Sequence, residues 1–347
     1  MSHHKPNLFI ALPQRPGEGI CDGLAKALGV GRPMGNGNMG EGFNVWAVEM
    51  QPLSLLTTNF NNLWVAARNC RRAWFLGRDA QQAGVRREIP TKFVTPKGLA
   101  LWAIAWLNGW DEAAIGRGAG PVTHFLMVHS DVCPRPGRWV QDMLAEMDKH
   151  RAQVCSAVIA VKEVPTVNSS TAVMRMPSQE MRKLTLLECA TALPPTFTAA
   201  DAGGDALLVN TGLLLCDIRE TEQHGDWARK VCFRIYDRVI PGEDGIDSSE
   251  SIGEDFLFGV DCWRLGLKVV ATTKVAVDHV GQIPFSNQVT AQQAAAMKQH
   301  GVEPQADPWF RAWNVDPPEH WQQQQSSPAT SNEVAAPIDS TVEALVG

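Results

Sequence analysis

His124-Phe-Leu-Met-Val-His-Ser-Asp-Val-Cys-Pro-Arg-Pro-Gly137 is the stretch on which the fold turns. Its first half is an uninterrupted apolar run, the pattern of a strand buried in a parallel sheet. The run stops at three polar side chains, His129, Ser130 and Asp131, where such a strand leaves the sheet. Pro134, Pro136 and Gly137 break the backbone, and Arg138 to Lys149 has apolar residues at helical spacing, so a helix follows. Strand, polar turn, helix is the unit of an open α/β sheet, in which ligands gather at the carboxyl ends of the strands. His129 and Asp131, two apart in such a turn, can face one divalent cation, because Mn²⁺ accepts imidazole nitrogen and carboxylate oxygen. The plain alternative is that Asp131 caps the turn and His129 is a satisfied polar residue at a strand end.

Outward from that turn, 347 residues suffice for one large α/β core or two modest ones. Hydrophobic residues make up 44% and charged residues 20%, and the formal net charge is −6, so no basic field argues for nucleic acid or an anionic membrane. No apolar run reaches the ~18 residues that a span requires, and Met1 to Pro6 lack the features of a secretory signal. The eight cysteines are scattered, without a C-x-x-C pair, and mostly lie in apolar runs, which favours reduced core thiols and a cytoplasmic setting.

Asn7 to Leu12 is the expected first strand, ending at Pro13, and Gly17 to Leu28 a short helix. Gly29 to Gly42 reads as a mobile loop. Gly35, Gly37 and Gly40 match G-x-G-x-x-G, but no strand leads into them and Phe43 to Met50 reads as a strand where a dinucleotide site needs a helix. Asn59 to Phe75 is a helix with Arg68, Arg71 and Arg72 on its polar side; these meet a diphosphate or solvate the helix. Lys97 to Leu107 is a helix, Val154 to Lys162 a buried strand, and Glu163 to Thr171 a loop at the same edge as His129. Thr185 to Pro195 reads as a short strand and exit turn. Ala206 to Asp217 is apolar except for Asn210, Thr211 and Gly212, an interruption that marks either a bend lining a pocket or a bend packed on itself. An acidic loop, Gly242 to Asp255, precedes a helix from Phe256 to Leu265, then strand-like runs at Lys268 to Ala271 and Val275 to Asp278 lead to His279. Gln322 to Gly347, rich in Gln, Ser, Ala and Pro, reads as a disordered tail behind a single catalytic domain, residues 1–321.

Three pieces in this order, Phe125 to Gly137, Gly253 to Gly266 and His279 to Gly281, resemble the glycosyltransferases of the GT-A fold, especially those of the family-2 type. The resemblance covers Val122 to Val161 and Ala206 to Gly281, and is only topological over Asn7 to Trp74. It implies an α/β, Rossmann-like three-layer sandwich with a mostly parallel central sheet. It also implies transfer of a sugar from a nucleotide-diphosphate donor to a glycan or other acceptor hydroxyl. The first piece is similar to the metal-binding D-x-D turn, with His129 in place of the first aspartate, so that His129, Asp131 and His279 would hold Mn²⁺ or Mg²⁺. Glu254 and Asp255 match the acidic motif that supplies a catalytic base. Pro13, Gln14 and Arg15 would lie near the nucleotide, with Ser130 and Arg68 as further donor contacts, and Asn210, Thr211 and Gly212 would line the sugar or acceptor pocket.

The residue types suit that chemistry. A departing diphosphate needs its charge offset, which a cation on Asp131 does as a Lewis acid. An acceptor hydroxyl needs a base aimed at it. The acidic pair alternatively serves only as the favourable charge of a first helical turn. With His129 the metal turn carries one negative charge fewer, which loosens the metal unless His279 compensates. Two rivals follow: a nucleotide-sugar or carbohydrate-binding protein on a degenerate scaffold, and a sugar nucleotidyltransferase, whose basic phosphate loop is poorly matched by the one arginine of Pro13 to Gly19.

Overall fold

Alternation along one strand organises the molecule. All eight residues of Asn7–Gln14 are buried, with Leu8, Ile10 and Leu12 in one apolar cluster and Phe9 and Ala11 in another. A strand apolar on both faces must be covered on both. Leu24 of helix Asp22–Leu28 and Trp139, Val140 and Met143 of helix Trp139–His150 complete the first cluster. Phe60 and Trp64 of helix Leu56–Gln82, Trp106 of helix Leu101–Ile115 and Phe258 of helix Glu254–Arg264 complete the second. The computed structural model describes residues 5–29, 39–53, 55–95, 98–116, 118–162, 168–176, 178–240, 247–281, 284–299 and 310–311. Within them the chain is mixed α/β, with a seven-stranded principal sheet and seven α-helices.

Five of the seven strands run one way. Asn44–Pro52, Asn7–Gln14 and His124–Val128 are mutually parallel neighbours, and Val154–Ala157 and Val269–Thr272 share their direction. Leu213–Asp217, wedged between His124–Val128 and Val154–Ala157, is reversed, and so is Thr196–Phe197 at the edge. The carboxyl ends of three central strands therefore meet at one edge. Two small antiparallel sheets extend it: Val132–Pro134 with Val277–Val280 and Pro284–Ser286, and Ala206–Leu208 with Asn168–Arg175 and Glu180–Thr185.

Several expectations hold with shifted ends: the arginine-bearing helix extends over Leu56–Gln82, the next one lies at Leu101–Ile115, and the Ala206–Asp217 run is two strands joined by the bend. Thr185 to Pro195 differs, for Leu186–Thr191 is helical. The reason is local: the Thr185 hydroxyl accepts from Glu188 N at 3.1 Å, capping the helix, and the Glu188 carboxylate meets Arg182 at 2.7 Å in a buried ion pair. Thr185→Ala is expected to cost about 1 kcal/mol in chemical denaturation; no change would show that the cap contributes nothing.

The cysteine expectation is corrected in one place. Cys21 and Cys133 form a disulfide between the loop after the first strand and the strand after Asp131, a pairing of residues 112 apart that no spacing signals. Cys70, Cys155, Cys189, Cys216 and Cys262 are buried free thiols, and Cys232 is exposed. The described residues up to Phe310 belong to one compact unit. The expectations for Gln322 to Gly347, for most of Gly29 to Gly42 and for parts of Glu163 to Thr171 and Gly242 to Asp255 lie outside the described residues. No helix among the described residues is long and apolar enough to cross a membrane.

Candidate active site

The site grows from the end of His124–Val128. His129 N donates to Gly212 O at 2.9 Å, so the exit of this strand and the Asn210 to Gly212 bend form one structure. The bend is tightly made: Asn210 Oδ1 accepts from Gly212 N, Ser156 donates to Asn210 O at 2.7 Å, and Thr211 is buried. A Cβ on Gly212 would meet Val132 and Ile159 at 3.1 Å, so no larger residue enters here without displacing a neighbour. Register also brings the first strand to this place. Ala11 lies opposite Met127 in parallel pairing, which carries Pro13 and Gln14 to the level of His129 and Ser130. Cys21 N donates to Ser130 O at 3.0 Å, tying the loop that begins at Arg15 to the same turn.

His279 arrives by pairing across a small sheet: it lies opposite Val132, and Val280 N donates to Asp131 O at 2.7 Å. Its Nε2 is 3.6 Å from Asp131 Oδ2, and its Nδ1 is 2.8 Å from Ala160 O. Lys162, just past the Ala160 bridge to Ser169, hydrogen-bonds the same Asp131 oxygen. Burial alone would raise the Asp131 pKa, but the hydrogen bonds and charges of His279 and Lys162 prevail and hold it well below the ordinary carboxylate range. Asp131 is thus an anion at any working pH.

His129 packs its ring on Phe60 at 4.9 Å between centroids, and its buried Nε2 has no hydrogen-bond partner among the described residues. Burial lowers its pKa to about 4, so the ring is neutral near pH 7 and one nitrogen remains an acceptor. As the side chains stand, no group of three His, Cys, Asp or Glu residues among those described is gathered for a metal ion. Asp131 and His279 are together, and the ammonium of Lys162 holds the carboxylate oxygen that a cation would take.

An aromatic ladder links this turn to the acidic motif. Phe60 meets Phe233 edge-on at 5.5 Å, and Phe233 stacks on Phe258 at 5.1 Å. Phe258 lies one turn after Glu254 and Asp255, which open helix Glu254–Arg264. Asp255 Oδ1 accepts from Phe256 N at 2.8 Å. Burial, followed by the charge of Glu254, raises the Asp255 pKa to about 7; burial also raises that of Glu254. First-turn carboxylates that served only the helix dipole would be stabilised as anions. Here desolvation wins.

Arg68 is not part of this assembly. It stands eight residues beyond Phe60, about 12 Å along the helix axis, 3.9 Å from Asp226. Its neighbour Arg71 donates to Val122 O, which precedes the His124–Val128 strand, so these arginines face the amino edge of the sheet. Lys162 is the residue that sequence reasoning passed over as a site group. Its signal was the one that singled out His129, a polar group at the end of a buried apolar run.

No protein-family model matches the chain, and no curated protein does. Among solved structures, A197 from STIV overlaps with 9% identity over 80% of this chain and 86% of that one, at a TM-score of 0.36. A protein assigned as a UDP-N-acetylglucosamine pyrophosphorylase from Entamoeba histolytica overlaps with 11% identity over 51% of this chain and 44% of its own, at a TM-score of 0.21. Overlaps at these scores carry neither fold nor activity across to this chain.

Proposed function

We propose that the protein is a GT-A-type glycosyltransferase that moves a sugar from a nucleotide-diphosphate donor to an acceptor hydroxyl. The observation that carries this reading is a pair of aspartates in opposite states at connected positions. Asp131 is held ionised by Lys162 and His279, whereas Asp255 is held near pH 7 by burial. Two carboxyl groups pushed apart in this way divide into an electrostatic role and a proton-transfer role. A carboxylate poised near the working pH is suited to take the acceptor's proton. Helices on both faces of a sheet with five codirectional strands support the three-layer reading.

In this account Pro13, Gln14, Arg15 and Ser130 meet the nucleotide, and Asn210, Thr211 and Gly212 shape the sugar side. Lys162 offers a positive charge to the departing diphosphate. The unpartnered Nε2 of His129 beside Asp131 and His279 fits a divalent cation, Mn²⁺ or Mg²⁺, which those three residues would hold against competition from Lys162. Such an ion supplies charge neutralisation to the leaving group. Removing the competitor, Lys162→Gln, is then expected to tighten Mn²⁺ binding in the absence of donor by about tenfold, the worth of one charge-assisted hydrogen bond. Calorimetric titration with Mn²⁺ reads this, and unchanged affinity would separate Lys162 from the cation.

The experiment for the function is release of nucleotide diphosphate from UDP-, GDP- and dTDP-sugars, with and without Mn²⁺ and a mixed hydroxyl acceptor pool. One donor should be turned over by the parent and not by Asp131→Ala. Turnover of none, with intact binding, would favour a binding protein.

A further inference from the structure

At the opposite edge of the sheet from Asp131, the structure contains a cleft of about 480 Å³ whose lining includes four arginines. Arg68, Arg71 and Arg72 come from successive turns of helix Leu56–Gln82, and Arg229 faces them from the short 3-10 turn Trp227–Arg229. Four guanidinium groups meet two lining carboxylates, Glu220 and Asp226. The compensation is incomplete: Asp226 is 3.9 Å from Arg68, while Arg72 and Arg229 are exposed and have no ion-pair partner among the described residues. Burial, with the charges of Arg229 and Arg72 adding to it, holds the Arg68 pKa below its ordinary value despite Asp226. One wall is fixed, because Arg71 is anchored on Val122 O at 2.9 Å and lies 5.0 Å over the Phe75 ring. Phe75 and Ile218 give the cleft an apolar side.

We propose that this cleft binds the phosphate or diphosphate group of a small soluble ester, at a site separate from the candidate active site. Planar guanidinium groups recognise phosphate oxygens in bidentate pairs, and two of them here have no carboxylate partner among the described residues. The volume matches a small molecule. A chain of net charge −6 repels nucleic acid and anionic membranes over its surface as a whole, which favours a compact anion in a concave site.

The test is calorimetric titration of inorganic pyrophosphate, at low ionic strength, into the parent, the Arg72→Gln/Arg229→Gln double variant, and Lys162→Gln. Both arginines are exposed, so the double variant should melt with the parent. The parent is expected to bind, the double variant at least tenfold more weakly, and Lys162→Gln to keep the arginine-dependent binding whatever it loses at the Asp131 turn. Absence of binding to the parent, or equal binding by the double variant, overturns the proposal. Loss confined to Lys162→Gln places the anion at the other edge and equally overturns it. Arginine-dependent binding of an oligonucleotide or anionic vesicles without pyrophosphate binding would replace the small ligand by a macromolecular one.

Discussion

Asp255→Asn is expected to lower sugar transfer by about 10² to 10⁴-fold, the usual contribution of a positioned general base, with donor affinity unchanged. The amide keeps the size of the side chain and removes only the proton acceptor. The parent's kcat/KM should rise with pH through an apparent pKa of about 7, the value at which burial and Glu254 hold Asp255, and the residual activity of the variant should lack that limb. Stability moves the other way. The folded-state pKa lies above the ordinary 3.8, so the favourable contribution of protonated Asp255 is complete below about pH 4 and is lost as pH rises through about 7. Asp255→Asn should therefore melt above the parent at pH 8 and close to it at pH 4. Full transfer activity in the variant would assign the base to Glu254 or another group.

Gly77→Ala and Gly109→Ala are each expected to destabilise the protein severely, by about 3 kcal/mol or more, at the upper end of overpacking penalties. Helices Leu56–Gln82 and Leu101–Ile115 cross backbone to backbone at these residues. A Cβ on Gly77 would stand 2.0 Å from Trp106 O, and one on Gly109 would stand 1.9 Å from Trp74 O. Neither obstacle is a flexible side chain. The helices would have to separate, loosening Trp74 and Trp106, which are buried in the same cluster as Phe60. Phe60 supports the His129 ring, so the site should lose order with the helix pair. Denaturant midpoints within experimental error of the parent would show that the crossing is looser than it stands here.

The elements that were legible in the sequence were those whose signal is local. The apolar run from His124 to Val128, the polar stop after it and the break in the strand at Asn210 lie where the sequence puts them, because burial and turn chemistry act over a few residues. Thr185 and Glu188 were also local, a capping pair at the proper spacing, but their segment sits in an apolar run that reads equally well as a strand. What sequence could not provide was juxtaposition. Arg68 lies on the expected helix, yet the axial rise of that helix takes it from one sheet edge toward the other. The Cys21–Cys133 disulfide and the contact of Lys162 with Asp131 depend on which strands become neighbours, and no residue pattern encodes that.

Binding of a nucleotide-diphosphate sugar at the Asp131 turn follows from the proposed function. It is tested most directly by thermal shift with a panel of nucleotide diphosphates and nucleotide sugars, with and without Mn²⁺, on the parent and on Asp131→Ala. The Asp131 side chain is paired with Lys162 and His279, so each ligand shift of Asp131→Ala is read against that variant's own unliganded melting point. A ligand that binds only the folded state raises the melting point by mass action. One nucleotide sugar is expected to stabilise the parent, more so with Mn²⁺, and to leave Asp131→Ala unshifted; equal stabilisation of both proteins, or a flat panel for the parent, would rule out donor binding at this turn.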